Sequence, residues 1–412
     1  MTERQNRFAA FESWNFRSYF VGQIVSTSGT WMQTFAQVWL VLQITDSSGH
    51  LGVTVALQYI PLLLFGAHAG VLADRIDNRR LLIATSFVGG LLALGLGVIT
   101  HTGNASTWVI DAFALAFGCV TALERPAMQA IVFQLVGAER LASAVGINGI
   151  INTAARLVGP SIAGLLIATA GIAACFFVNA ASYLVVIGAL LFLRKRDLVA
   201  RPLRAKGAGG LREGLRYVRS NPDVSRPLVV MALVGTLAYN FQTTIPSMVK
   251  FGFGRGAGSV AAVMSISAIG SIAGGLVIAG LRLDPRRSLA VSLIGLAIGL
   301  ALFGAAPNYA WFVAVCLPLG FVSSSFLTVN ATVLQQATDP AMQGRVMSLH
   351  QIAWFGSTPI GALLMGAVIE ATSTRVPFFV GAASALVCSA VIMRPRRQAG
   401  ATLVGHGAAA SS

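Results

Sequence analysis

The chain has 412 residues, of which 55 % are hydrophobic and only 10 % charged, and its mean hydropathy is +0.75. Soluble domains carry about 25 % charged residues, so the composition excludes an ordinary soluble globule and points to the bilayer. The net charge of +15 does not read as a nucleic-acid surface, because the basic residues sit in gaps between apolar stretches, where they act as topology signals.

The N-terminus, MTERQNRFAAFESWNFR, is polar and basic and is expected to enter the first apolar stretch without a cleavable leader. Twelve stretches follow, each long enough to cross a hydrocarbon core about 30 Å thick. They cover residues 18–44, 50–72, 80–101, 107–127, 140–168, 172–193, 227–249, 257–281, 287–305, 309–334, 343–369 and 376–393. The expected fold class is an all-α membrane protein of twelve transmembrane helices in two pseudo-symmetric six-helix halves. Residues 1–193 form the N-terminal half and 227–394 the C-terminal half. Residues 194–226 form a cytoplasmic linker, and the Gly/Ala-rich tail, 395–412, is expected to be disordered. Four cysteines (Cys119, Cys175, Cys316, Cys388) lie inside apolar stretches without metal-ligand spacing and read as small buried hydrophobes.

The first stretch is the most polar. Gln23, Ser26, Thr30, Gln33 and Gln37 recur at three- and four-residue steps and share one helical face, which lipid would not tolerate, so this face is expected to line a cavity. Trp31 and Phe35 nearby either stack on an aromatic substrate or pack as interface anchors. The second stretch adds Gln58. After it comes Arg75-Ile76-Asp77-Asn78-Arg79-Arg80-Leu81-Leu82, which returns 207 residues later as Arg282-Leu283-Asp284-Pro285-Arg286-Arg287-Ser288-Leu289. A charged turn repeated at half-length implies a duplicated membrane domain, and facing halves imply a site between them.

The fourth stretch carries Asp111, Glu124 and Arg125, and the fifth Asn148, Asn152 and Arg156 at four-residue steps. Trp108 and Trp311 open the fourth and tenth stretches, again about half a chain apart, as interfacial markers. In the linker, LREGLRYVRS sets Leu211, Leu215 and Val218 on one helical face and Arg212, Arg216 and Arg219 on another. That suits a helix lying on the inner membrane surface, or a solvated connection. The seventh stretch offers Tyr239, Asn240 and Gln242, the tenth Asn330, and the eleventh His350, Gln351 and Trp354 as cavity residues. With both termini inside, 24 of the 29 Lys and Arg fall on inner segments, and only Lys250, Arg255 and Arg375 fall outside.

Gly70-Val71-Leu72-Ala73-Asp74-Arg75-Ile76-Asp77-Asn78-Arg79-Arg80 resembles the signature of the major facilitator superfamily between its second and third helices, with Asp77-Asn78 in place of the usual glycine. In that family the carboxylate is a conformational latch, so the resemblance implies that role for Asp74. Arg75, Arg79 and Arg80 would anchor the turn or simply set topology. The second copy has Leu281 where Asp74 would fall. Gly146, Ala155, Gly159, Pro160, Ala163 and Gly164 resemble the superfamily's antiporter signature, which marks exporters, with Ala at two of its six positions. Thr358-Pro359-Ile360-Gly361-Ala362 is a weaker echo. The arginine that many proton-driven drug antiporters carry in the fourth helix is absent, with Ala114 in its place. Glu124-Arg125-Pro126-Ala127, Glu139-Arg140-Leu141-Ala142, Arg156-Leu157-Val158-Gly159-Pro160 and Glu213-Gly214-Leu215-Arg216-Tyr217-Val218 resemble the branch of enterobactin exporters and macrolide efflux pumps.

These features lead to the expectation of a monomeric transporter of the bacterial cytoplasmic membrane with both termini cytoplasmic. It would export a small organic molecule by alternating access at the expense of protons, and import on the same fold is the alternative. Proton-coupling candidates are Glu124, Arg125, Asp111 and Arg156. Glu124 is either a relay or the partner of Arg125 or Arg156, and Asp111 is either a relay or a headgroup-level residue. A mostly neutral, aromatic cavity suits uncharged or amphiphilic cargo. No enzyme is expected: there is no Gly-x4-Gly-Lys-Ser/Thr loop, no cofactor or metal site, and His50, His68, His101, His350 and His406 are scattered.

Overall fold

The computed structural model describes residues 9–199, 210–280 and 284–393 and is almost wholly helical. In chain order the helices are α1 (Trp14–Thr45), α2 (Ser48–Arg75), α3 (Asn78–His101), α4 (Thr107–Ala170), α5 (Ile172–Leu191), α6 (Gly210–Ser220), α7 (Pro222–Leu237), α8 (Phe241–Ser247), α9 (Ala257–Gly280), α10 (Pro285–Gly304), α11 (Tyr309–Ala337), α12 (Gln343–Ala371) and α13 (Val376–Met393). Among the described residues, ten helical segments are long and apolar enough to cross a membrane. The polar side chains of α1 keep it out of that set.

Two elements differ from the sequence expectation. The fourth and fifth stretches are not separated by a turn at 128–139. Helix runs through the Val- and Leu-rich segment up to Val136 and breaks at Gly137, whose φ of 74° only glycine adopts at no cost. The seventh stretch is broken: α7 ends at Leu237, α8 starts at Phe241, and a π turn covers Met248–Gly252. At the break Asn240 donates from Nδ2 to the Thr236 carbonyl at 2.7 Å, and its own carbonyl accepts the N–H of Thr243 and Thr244, so the freed backbone groups find partners.

The repeated charged block has a local structural meaning. Asp77 caps α3, its Oδ1 accepting the N–H of Arg79 at 2.9 Å and of Arg80 at 3.3 Å. Asp284, 207 positions on, accepts the Arg287 N–H at 3.0 Å at the start of α10. The Asp74 and Arg286 side chains, Leu281, the linker residues 200–209 and the tail from 394 lie outside the described residues.

Close helix crossings occur where glycine removes the side chain. A Cβ on Gly159 would lie 2.6 Å from Trp31 Cβ and 2.8 Å from Met32 N on α1, and one on Gly361 would collide with the Thr236 carbonyl and Asn240 beside α7. A Cβ on Gly164 would lie 2.6 Å from Ala261 Cβ of α9, and one on Gly366 2.8 Å from the Ser48 carbonyl of α2. Gly118 presses on the Gln58 carbonyl and Gly320 on that of Ser267. Helix α6 is present. Its Tyr217 and Val218 pack around Val224, Leu334 and Val346, and Glu213 pairs with Arg345 at 3.1 Å, while Leu215 stays exposed.

Candidate functional site

The two ends of the bundle are held differently. At the Asp46 end, hydrogen bonds join α1 and α2 to the second group of helices. Lys250 Nζ donates to Asp46 Oδ1 at 2.5 Å and also to the Leu42 carbonyl. Ser47 donates to Glu370 Oε1, and Ser48 to the Ser247 hydroxyl at 2.9 Å. At the Arg75 end, the ties among the described residues stay within each group: Arg140–Glu12 at 3.0 Å and Arg345–Glu213 at 3.1 Å. A Cβ on Gly70, Gly146 or Gly149 would meet no atom within 4 Å. Arg79 donates from Nε to the Leu190 carbonyl at 2.6 Å and from Nη2 to that of Leu191 at 2.9 Å, satisfying the last carbonyls of α5. Arg75 is exposed, and Arg80 Nε lies 3.6 Å from Asp77 Oδ2.

The polar face of α1 turns largely into the protein. Gln23 donates to the Thr27 hydroxyl at 3.0 Å. Gln33 Oε1 accepts from Asn179 of α5 at 2.6 Å, and Gln37 donates to the Ile110 carbonyl of α4 at 3.5 Å. Gln23, Ser26, Gln33 and Gln37 are all buried, and only Thr30 is open. Asn330 and His350 are buried as a pair, Nε2 to Oδ1 at 3.1 Å, with Asn330 donating to the Pro227 carbonyl. These groups tie helices together rather than facing a cavity. Asn179, their buried partner on α5, carried no periodic signal of its own.

Asp111 is buried in the α2–α4 contact, four residues from the start of α4. Its Oδ1 accepts from the Thr54 hydroxyl at 2.6 Å, and His50 Nε2 lies 3.0 Å from its Oδ2.

Between the two helix groups lies a different set of residues. The Arg156 guanidinium stands 5.2 Å from the Trp31 ring centroid, and that of Arg125 4.4 Å from Phe355 of α12. Both lie within electrostatic reach of the Tyr59 hydroxyl, and Arg156 also of Tyr239. Tyr239 donates to the Ser323 carbonyl at 2.5 Å and packs edge-on against Trp354 at 5.2 Å. Gln242 donates to the Tyr59 hydroxyl at 3.4 Å and, with Trp31, Phe35 and Pro160, lines a narrow cleft. Asn152, Arg156 and Gln351 are exposed, while Gln58, Asn148 and Asn240 sit at or near helix contacts. Among the described residues no carboxylate comes within 4.0 Å of Arg125 or Arg156, so the ion pair with Glu124 that the sequence left open is not formed. Glu124 lies within electrostatic reach of Arg125 and of Tyr19 and Tyr183, inside the first helix group. The described residues hold no cluster of His, Cys, Asp and Glu able to bind a metal ion.

A family model described as transmembrane secretion effector matches residues 5–402. The chain belongs to this family of major facilitator transporters. Its relatives include the staphyloferrin A transporter of Staphylococcus aureus (25 % identical, over 84 % of this chain and 87 % of that protein). Macrolide efflux protein A of Streptococcus pyogenes is 23 % identical over 93 % and 96 %. The enterobactin exporter EntS of Shigella flexneri is 28 % identical over 85 % and 84 %. The nucleoside transporter NupG shares the fold with a TM-score of 0.73 at 14 % identity, covering 91 % of this chain and 98 % of that one. So does an inward-facing bacterial homologue of the lysosomal transporter Spinster, with a TM-score of 0.69 at 14 % identity and 95 % of each chain covered. The chain is a multi-pass membrane transporter, not an enzyme.

Proposed function

We propose that this transporter exports a small organic molecule across the bacterial cytoplasmic membrane, driven by protons, by rocking two six-helix halves about a central cavity. Counting α1, and α4 as two helices parted at Gly137, brings the ten apolar segments to twelve spans. The glycine crossings support the two-half reading. Gly159 on α1 corresponds to Gly361 on α7, Gly164 on α9 to Gly366 on α2, and Gly118 on α2 to Gly320 on α9. Each pair is separated by 202 residues. The same element pairs recur: α3 packs on α5 as α10 packs on α13, and α2 on α4 as α9 on α11.

The observation that carries the reading is the asymmetry of the two ends around the arginine- and aromatic-lined space. The halves are tied at the Asp46 end and untied among described residues at the Arg75 end, as in one state of an alternating-access cycle. With the basic segments on the cytoplasmic side, this state opens inward, both termini are cytoplasmic, and an exporter would load from it. The Gly-Pro crossing of α4 and the efflux relatives favour export. Glu124 is the proton relay in this reading, and Asp74 the latch of the opposite state.

The test is accumulation of a drug and siderophore panel in an efflux-deficient bacterium expressing the full chain. Lowered accumulation of some member, restored by an uncoupler and by Asp74→Asn, is the expected result. Raised accumulation, or lowering that an uncoupler does not touch, overturns proton-driven export.

A further inference from the structure

The walls of the central space are not neutral, contrary to what the sequence suggested. Arg156 is exposed, yet its guanidinium stands 5.2 Å from the Trp31 ring of α1 and lies within electrostatic reach of Tyr59 of α2 and Tyr239 of the α7–α8 break. Its open face therefore looks into the space between the halves and not at lipid. Arg125 enters the same space from α4, stacked on Phe355 from the opposite half, and Tyr59 lies within reach of both. A guanidinium out of water is costly unless it is paired, and a cation–π contact offsets only part of that cost. Each ring covers one face and leaves the edge, with its five N–H donors, free for a planar anion. The nearest carboxylate in sequence, Glu124, projects about 100° around the helix from Arg125 and makes no ion pair with it within 4.0 Å, although the two remain within electrostatic reach, as Glu124 is of Tyr19 and Tyr183. The other acids that join the halves, Asp46 and Glu370, are engaged at the far end of the bundle.

From two guanidiniums that have no carboxylate within 4.0 Å among the described residues, and from the aromatic rings that frame them, we propose that the transported molecule is an aromatic or amphiphilic anion. Its acidic group would be held by Arg125 and Arg156, and its ring would lie among Trp31, Tyr239 and Trp354. This rests on the transport reading for its purpose but not for its test, which measures binding alone. The same two groups then carry a second consequence: an empty cavity repels organic cations, so charge selects the cargo before shape does.

The experiment is calorimetric titration of the purified full-length protein in detergent with three isosteric probes: 1-naphthoate, neutral naphthalene-1-methanol and 1-naphthylmethylammonium. The expected order of affinity is anion, then neutral, then cation. Arg156→Gln and Arg125→Gln should each weaken 1-naphthoate by about ten- to a hundredfold, the worth of one charge-assisted hydrogen bond, and leave the neutral probe nearly unchanged. Arg156→Lys should recover part of the loss, since it keeps charge but not the fork. The wild-type comparison stands even where a variant fails to fold. A cation that binds as well as the anion overturns the proposal. So do folded wild type that binds no 1-naphthoate and Arg→Gln variants that keep the anion preference. A protein that binds 1-naphthoate as expected but shows no uncoupler-sensitive transport sinks the export reading and leaves this one standing.

Discussion

Lys250 Nζ sits 2.5 Å from Asp46 Oδ1, joining the left-handed residue that ends α1 to the π turn after α8. The same ammonium donates to the Leu42 carbonyl, which also accepts the Asp46 N–H at 3.1 Å in the last turn of α1. The clamp thus combines a charge pair with a helix cap, and it spans the two helix groups. It can exist only while this end is closed, so its loss should favour the state open at the Asp46 end. Lys250→Ala is expected to shift that equilibrium by about 1 kcal/mol, roughly fivefold in population. Double electron–electron resonance between spin labels on α2 and α12 near this end would show a longer-distance population growing. An unchanged distance distribution would reduce the contact to decoration.

The repeated aspartates predict a stability effect with no functional content. Asp77 and Asp284 accept backbone N–H groups at the start of α3 and α10. Replacing such a cap by alanine costs about 1 kcal/mol, whereas asparagine keeps the acceptor. Asp77→Ala should therefore lower the detergent melting temperature by a few degrees and Asp77→Asn should barely move it. Equal losses from both would mean that the carboxylate's charge, not its cap, matters there.

That repeat also shows how legibility divided between levels. The spans were readable because apolar runs are a local property, and the repeated turn was readable because its charged block is copied. The reason for the copy was not, since a cap is a matter of which N–H the carboxylate reaches. The polar face of α1 shows the same limit. Its period was correctly one-sided, but Gln33 meets Asn179 and Gln37 meets the Ile110 carbonyl, partners far along the chain that no periodicity reveals. Arg79 looked like a topology charge and instead serves the final carbonyls of α5. The break in the seventh span fell beside Tyr239, Asn240 and Gln242, which the sequence marked only as cavity residues. There Asn240 and the π turn re-satisfy the backbone, an arrangement that hydropathy cannot register.

The glycines of the Gly-Pro motif separate into two kinds. Gly159 touches α1 so closely that a methyl group would lie 2.6 Å from Trp31 Cβ. Gly146 faces open space in this state, with nothing within 4 Å. Gly159→Ala should force α1 and α4 apart, costing about 1–3 kcal/mol as overpacking does, and it would displace Trp31 from Arg156. Gly146→Ala should leave the melting temperature and 1-naphthoate binding near wild type. Should it nevertheless block transport, Gly146 meets its neighbour only in the opposite state, which would give the motif a conformational role of its own.

Asp111 and Glu124 make opposite predictions from their surroundings. Asp111 is bound on both oxygens, by Thr54 at 2.6 Å and beside His50 at 3.0 Å, inside the α2–α4 contact. Removing it leaves the buried Thr54 hydroxyl without its acceptor and takes the carboxylate from beside the partly exposed His50, so Asp111→Ala should destabilise by about 1–3 kcal/mol. Asp111→Asn keeps an acceptor for Thr54 and should restore most of that. Glu124 has no charged partner within 4.0 Å among the described residues and lies within electrostatic reach of Arg125, Tyr19 and Tyr183. Glu124→Gln is then expected to fold and to bind 1-naphthoate as wild type does, because Arg125 and Arg156 are intact. In proteoliposomes it should fail to drive export when a pH gradient is imposed, while still exchanging substrate for substrate. If both acids behave alike, each losing stability and neither losing coupling, the relay lies elsewhere. Asp74, three residues before the Asp77 cap, would then be the next carboxylate to test.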